Sequence, residues 1–433
     1  MIKITKHLLL IILLSTNFCY SNNNQDKTID KLAKKIEAKV IQWRREIHQN
    51  PELSNREFNT AKKVENHLRS LGLEVFTKVA HTGVVGILKG SKPGKTVALR
   101  ADMDALPVVE RVDVPFASKV KTIYKNKEVG VMHACGHDTH VAILMGVASI
   151  LSELKNEIKG TVKFIFQPAE EGPPAGEEGG AELMVKEGVL NNPNVDVIFG
   201  LHISSNLLVN KVSYKPGGTL ASATSFEIKI KGKQAHGSKP WEGADPIVAG
   251  AQIINNLQTI VSRSLDLTNE AAVVSIGRFE SGIRSNIIPE SAYLEGTIRA
   301  LDYDMRDKIY KRLKTIVVKT AESNGVRAEL ILGNPYPITF NDINLTEEMK
   351  ETLKRIAGKE NVVLARASTG AEDFSYFANE IPGFFYRLGG MPIEDHPNKG
   401  FSHHTPDFYV DDKGLILGLK TMTALTIDYL NKN

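Results

Sequence analysis

The chain has almost no cysteine: among 433 residues only Cys19 and Cys135 occur. That excludes an internal disulfide framework, and it leaves Cys135 as a buried spectator, a reactive thiol or a metal ligand. No apolar run is long enough for a permanent membrane anchor. The Leu8–Leu14 stretch is the best candidate, and it falls well short of the roughly 20 residues a spanning helix needs. No Lys/Arg run and no basic-aromatic stripe is present, so nothing points to a nucleic-acid partner. Internal repeats and low-complexity tracts are absent too. With 42% hydrophobic and 24% charged residues, the chain has the make-up of an ordinary soluble protein, and its length favours two domains.

The first 21 residues read as a secretory signal peptide. Lys3 and Lys6 open it, an apolar stretch follows, and Cys19-Tyr20-Ser21 offers small residues at alternate positions. An uncleaved interfacial anchor and a lipid anchor on Cys19 are the alternatives, the second disfavoured by bulky Phe18. Removing Lys3 and Lys6 takes the formal charge from +4 to 4 − 2 = +2. The protein is therefore expected to be secreted or periplasmic.

After a polar linker at 22–27, apolar positions at helical spacing predict helices over 28–49 and 57–71, stopped by Asn50-Pro51 and Gly72. Strands are expected at 74–78, 84–88, 96–100, 161–167 and 195–201, with a helix over 139–154 and a closing one over 413–429. Strands alternating with helices indicate an α/β domain with a mainly parallel sheet. The texture changes near Pro216-Gly217-Gly218. Strands at 225–231, 271–279, 292–299 and 327–332, with helices at 246–262 and 304–323, give the β-α-β-β-α-β order of a ferredoxin-like domain. The expected organisation is thus a catalytic domain of 28–214 and 336–433, interrupted by an inserted α+β lid of 215–335.

Metal-ligand residue types gather at strand ends and loops. RADMDALP carries Asp102 and Asp104; MHACGHDTH carries His133, Cys135, His137, Asp138 and His140; QPAEEG carries Glu170 and Glu171; GLH carries His202; and FSHHTPDF carries His403 and His404. An acidic pair after a strand is ordinarily a solvated loop or a helix cap, and a lone histidine is ordinarily a satisfied core residue. The run His-Ala-Cys-Gly-His-Asp is different, because a thiolate and an imidazole two residues apart suit zinc or manganese. In an open parallel sheet the carboxyl ends of strands converge on one crevice, which would bring these clusters together. Adjacent carboxylates also divide labour well: Glu171 can hold a metal while Glu170 takes a proton from water.

These motifs, together with RREIHQNPELSNREFNT, KQAHGSKPWEGADP, SNIIPE, EGTIR and GAEDFSYF, resemble the M20 metallopeptidase superfamily over essentially the whole mature chain. The likeness is to its amidohydrolase branch, which includes hippurate, N-acyl amino acid and auxin-conjugate hydrolases. The resemblance implies two divalent ions, manganese or zinc, bridged by Cys135. His137 and His202 would complete one site, and Glu171 and His404 the other. Glu170 is then the proton shuttle and Asp104 orients a metal-binding imidazole. In the lid, His236 resembles a histidine that reaches the substrate carbonyl, and Asn286 and Arg299 resemble holders of the substrate carboxylate. Other branches have His-x-Asp where this chain has Asp102-Met103-Asp104, and Asp in place of Cys135; the present pattern marks the amidohydrolase branch. A homodimer through the lid and hydrolysis of a small N-acyl amino acid are the implied partner and reaction. A carboxypeptidase or dipeptidase on the same scaffold, a non-catalytic binding protein and a cysteine hydrolase using Cys135 are the rivals.

Overall fold

The computed structural model describes the backbone of residues 2–393 and 401–432, and the side chains of 24–393 and 401–432. It divides into two units, one made of Met1–Tyr214, Asp342–Ala365 and Glu380–Asn433, the other of Lys215–Asn341 and Arg366–Asn379. The second unit therefore takes 336–341 and 366–379, stretches that the sequence reading places in the last catalytic part.

The first unit is built on an eight-stranded sheet. Its order is Glu74–Val79, Gly83–Lys89, Lys159–Gln167, Lys92–Asp102, Val197–Leu208, Gly383–Met391, Val212–Tyr214 and Val362–Leu364. The four central strands, from Lys159–Gln167 to Gly383–Met391, run parallel, whereas Glu74–Val79 and Gly83–Lys89 join antiparallel at one side. The central strands are nearly continuous apolar runs, as expected of strands covered on both faces. The helices Ile2–Gln49, His137–Glu153 and Leu415–Lys432 pack on one another, with Val40, Leu144, Val147, Leu419 and Leu425 in a common core. Among the described residues no helix is long and apolar enough to cross a membrane.

Several boundaries differ from the sequence reading, most by one to three residues, and two of them matter for the site. The 195–201 strand extends as Val197–Leu208, because Gly383–Met391 continues to pair with it, so His202 lies within a strand opposite Arg387 rather than after one. Asp102 is likewise the last residue of its strand, paired with Gln167. A third difference is the first helix, which runs from Ile2 to Gln49 rather than starting near Thr28.

The second unit holds a four-stranded antiparallel sheet, ordered Ala272–Ser281, Ser291–Ala300, Ser222–Lys231 and Arg327–Leu332. The helices Pro246–Thr259 and Tyr303–Ser323 pack on each other and on the sheet. Phe226, Ile228 and Ile230 point inward at every second residue and meet Ile253, Leu257, Ile309 and Leu313. Asp245 and Asp302 cap the two helices by accepting backbone N–H bonds at their starts. This is the β-α-β-β-α-β order predicted from the sequence.

Gly136 shows how tightly the entry to the His137–Glu153 helix is built. Its φ is +94°, and an added Cβ would lie 2.3 Å from Cγ2 of Ile203. Left-handed strain and overpacking together give an expected loss of about 3 kcal/mol for Gly136→Ala, readable as a lower midpoint in chemical unfolding. An unchanged midpoint would contradict this local geometry.

Candidate metal centre

Loops at the carboxyl ends of the central strands carry much of the site, with His202 inside the Val197–Leu208 strand and His137 at the start of the His137–Glu153 helix. Lys159–Gln167 ends in Pro168, after which Ala169 at φ +53° and Gly172 at +99° turn the chain sharply. The Asp104 carboxylate holds that turn by accepting the backbone N–H groups of Glu170 at 3.1 Å and Glu171 at 3.0 Å, with the Ser54 hydroxyl donating to it at 2.7 Å. Asp104 also steers His137, whose Nδ1 lies 2.8 Å from its carbonyl oxygen and 3.3 Å from its Oδ1. One carboxylate thus orients both the imidazole and the Glu170-Glu171 pair. His404 has φ +62°, a strained value for a non-glycine residue, and is pinned by its N–H donating to Ala134 O at 2.8 Å.

These loops bring side chains together. Cys135, Glu171 and His404 place their ligand-type atoms within 4.8 Å of one another, and so do His137, Glu170 and Glu171. His404 Nε2 stands 3.1 Å from Glu171 Oε1, and His137 Nε2 lies 3.8 Å from Glu170 and 4.0 Å from Glu171. Cys135 Sγ is 3.4 Å from His202 Nε2, while the His137 and His202 rings stand 6.1 Å apart. All five residues expected as ligands therefore lie in one neighbourhood, with Glu170 and Asp104 beside them.

Their hydrogen bonding suits divalent cations. His137 Nε2 is a buried atom with no hydrogen-bond partner, and Glu171 Oε1 is buried with His404 Nε2 at 3.1 Å. His137 directs Nδ1 at a carbonyl, and His202 does the same toward Ile203 O at 2.6 Å, which turns each Nε2 toward the cluster as the nitrogen that a cation would take. Burial opposes protonation of His137, yet Asp102 and Asp104 lift its pKa to about 10. Burial, then Glu171 and Glu170, pushes the Cys135 thiol well above its usual range. Burial also holds His202 well below its own, with His140 and His403 beside it. A centre this rich in carboxylate and thiol calls for positive charge, and a cation would displace the His137 proton and ionise the thiol.

Two further histidines resemble ligands by position but not by hydrogen bonding. His140 gives Nδ1 to Asp102 at 2.5 Å and accepts the Ile203 N–H on Nε2 at 2.8 Å, so both nitrogens are used. His403 accepts the Ser205 N–H on Nε2 at 3.3 Å, which puts its proton on Nδ1, 3.7 Å from Cys135 Sγ. It therefore faces the sulfur as a donor. Asp102 binds Arg100 at 2.6 Å, and Arg100 reaches Gln167 at 2.7 Å, a buried brace under the site.

A second brace was not assigned from the sequence. Arg44, with 1% of its surface exposed, donates to Asp138 at 2.7 Å and to Asp412 at 3.2 Å. His48 bridges Asp138 at 2.9 Å and Glu110 at 3.1 Å; burial would lower its pKa, but Asp138 raises it. In the sequence Arg44 and His48 stand in the RREIHQNPELSNREFNT motif and Asp138 follows His137, but nothing there pairs them. Arg44→Met would strand a buried carboxylate and should cost about 3–5 kcal/mol in denaturant unfolding. A loss below 1 kcal/mol would mean that the brace carries little load.

In the second unit, His236 and Asn286 lie on neighbouring segments. His236 pairs with Ile287, Gly237 N–H donates to Asn286 O at 2.8 Å, and Ser238 Oγ lies 2.7 Å from His236 Nδ1. Arg299 sits on the Ser291–Ala300 strand opposite Ala223 and Val273, where burial lowers its pKa.

A family model, Peptidase family M20/M25/M40, matches residues 98–428. The chain belongs to the M20 peptidase family. Thermostable carboxypeptidase 2 of Saccharolobus solfataricus is 43% identical to this M20 chain, over 92% of it and 97% of the relative. N-acetylcysteine deacetylase of Bacillus subtilis is 37% identical, over 91% and 97%. Among solved structures, the Bacillus subtilis YXEP protein, described as a dinuclear metal binding peptidase from the M20 family, superposes with a TM-score of 0.77 at 35% identity, covering 92% of this chain and all of that one. The protein is accordingly a dinuclear metal hydrolase of the M20 family, on a scaffold that serves amidohydrolases and carboxypeptidases alike.

Proposed function

We propose that the protein hydrolyses the amide bond of N-acyl amino acids, giving a carboxylic acid and a free amino acid. The observation that carries this reading is the Glu170-Glu171 turn: Glu171 faces Cys135 and His404 while its neighbour Glu170 faces His137 Nε2 at 3.8 Å. Cys135, His137 and His202 would hold one ion, and Cys135, Glu171 and His404 the other, manganese or zinc in either case. The chemistry such ions supply when bound is Lewis acidity, which lowers the pKa of water toward about 7 and polarises a carbonyl.

Glu170 accepts the proton from the attacking water as the C–O bond forms. It then delivers that proton to the departing nitrogen as the C–N bond breaks, so that one water is consumed and acid and amine leave. Asp104 keeps His137 and the Glu170-Glu171 turn in register throughout. From the lid, His236 would donate to the carbonyl oxygen, and Asn286 and Arg299 would hold the carboxylate of the substrate. The lid is also the proposed homodimer surface, and the N-terminal 21 residues a signal for export.

A carboxypeptidase or dipeptidase reading is favoured by the 43% identity to the Saccharolobus carboxypeptidase. N-acetyl, N-benzoyl and dipeptide substrates assayed side by side on the metal-loaded chain separate the two. Preference for the acyl substrates supports the proposal, and preference for dipeptides supports the alternative.

A further inference from the structure

Beside Glu171 the first unit contains a cavity of about 630 Å³, and its far wall is a β-hairpin that the proposed reaction does not use. The hairpin pairs Lys121–Tyr124 with Lys127–Gly130 through a two-residue turn, Lys125 at φ +48° and Asn126 at +63°. Both central residues at positive φ make a tight turn whose twist matches the flanking strands. Its returning arm leads straight into Val131 and Met132, which bond to Val120 and Leu106, and thence to Cys135. The hairpin is thus a fixed extension of the metal-binding loop.

The chemistry of the cavity wall is apolar where it is free. Leu53, Leu106, Pro107, Ile123, Pro173 and Pro174 line it. Ile123 is 68% exposed and Tyr124 36%. Most of the polar groups on the wall are engaged elsewhere. Arg56 binds Glu177, Lys121 binds Glu128 at 3.0 Å, and the Glu52 carboxylate accepts the N–H groups of Asn59 and Thr60. Lys125 lies over the Tyr124 ring, 5.3 Å from its centroid. A mainly apolar cavity of several hundred Å³ with Glu171 of the metal centre on its wall has the form of a site for a small organic group. A ring or an alkyl chain finds apolar surface there.

We infer that this cavity receives the acyl group of the substrate, and that the Lys121–Gly130 hairpin makes the enzyme prefer aromatic or medium-chain acyl groups to acetyl. The inference rests on the N-acyl amino acid reading and adds the substrate class to it. With the acyl carbon beside Glu171, the hydrocarbon attached to it extends over Leu106 toward Ile123. Each additional buried carbon then favours the larger acyl group.

The test compares kcat/KM for N-acetyl-, N-octanoyl- and N-benzoyl-alanine on the full metal-loaded chain and on two variants, Ile123→Asp and Ile123→Ala. Leu364→Asp, on an exposed strand that lines no part of the cavity, controls for added charge. The wild type should favour benzoyl or octanoyl over acetyl by on the order of tenfold, and Ile123→Asp should reduce that ratio by a similar factor, Ile123→Ala by less. A wild type that prefers acetyl, or an Ile123→Asp ratio equal to that of wild type, overturns the inference and leaves the amidohydrolase reading intact. Calorimetric binding of octanoate against acetate provides a readout independent of turnover. If no N-acyl amino acid is cleaved, the functional reading fails, and octanoate binding that weakens in Ile123→Asp still supports the cavity assignment, while equal binding in both overturns it.

Discussion

Glu170→Gln is expected to lower kcat by about 10²–10⁴-fold while metal content and overall stability stay close to those of the wild type. The amide keeps the shape of the carboxylate but cannot take a proton from water. Its backbone N–H still donates to Asp104, so the turn and the neighbouring Glu171 keep their positions. The prediction is specific because the two adjacent glutamates should respond differently. Glu171→Gln weakens a proposed ligand that stands 3.1 Å from His404 Nε2, so it should lose metal together with activity. Steady-state kinetics at saturating metal, read beside elemental analysis, separates the two effects. Equal turnover in Glu170→Gln and wild type would remove Glu170 from the role of proton carrier.

Cys135→Ala carries the second large effect. The thiol lies 3.4 Å from His202 Nε2 and within the cluster that holds Glu171 and His404, so a bridging role makes it the one side chain common to both ions. Its loss should release at least one ion and lower the affinity for the rest by more than about 100-fold, since even partners outside the ligand set cost 10–100-fold. Elemental analysis after dialysis and competition with a chelating dye measure this. The same variant discriminates against a cysteine hydrolase. Burial, with the carboxylates of Glu171 and Glu170 beside it, pushes the Cys135 thiol well up, the reverse of what activates a nucleophilic cysteine. Chelators should therefore abolish turnover, and added manganese or zinc should restore it. Alkylation that inactivates an enzyme retaining both ions and indifferent to chelators would favour the nucleophile instead.

Much of this was legible in the sequence because the site is built from local signals. Alternating strands and helices gave the parallel sheet, and the β-α-β-β-α-β order of the second unit followed from period-two runs such as Phe226, Ile228 and Ile230. The five candidate ligands stand in short motifs at strand ends, where topology brings distant segments together. What stayed hidden was mostly long-range. The central strand Gly383–Met391 was not singled out, because a fully buried run has no alternation to mark it. Arg44 and His48 stand in one motif, but their partners Asp138 and Asp412 lie about 90 and 370 residues away, and no local pattern announces those pairings. Whether a histidine donates or accepts is hidden too. Adjacent His403 and His404 look equivalent in sequence, yet backbone N–H donation to His403 Nε2 turns it toward Cys135 as a donor, and His404 alone faces Glu171.

Anomalous scattering from crystals of the full chain grown with manganese or zinc tests the central claim most directly. The account predicts two peaks about 3.5–4 Å apart, both within bonding distance of Cys135, one also touching His137 and His202 and the other Glu171 and His404. A single ion away from Cys135, or two ions bound by other side chains, would contradict it.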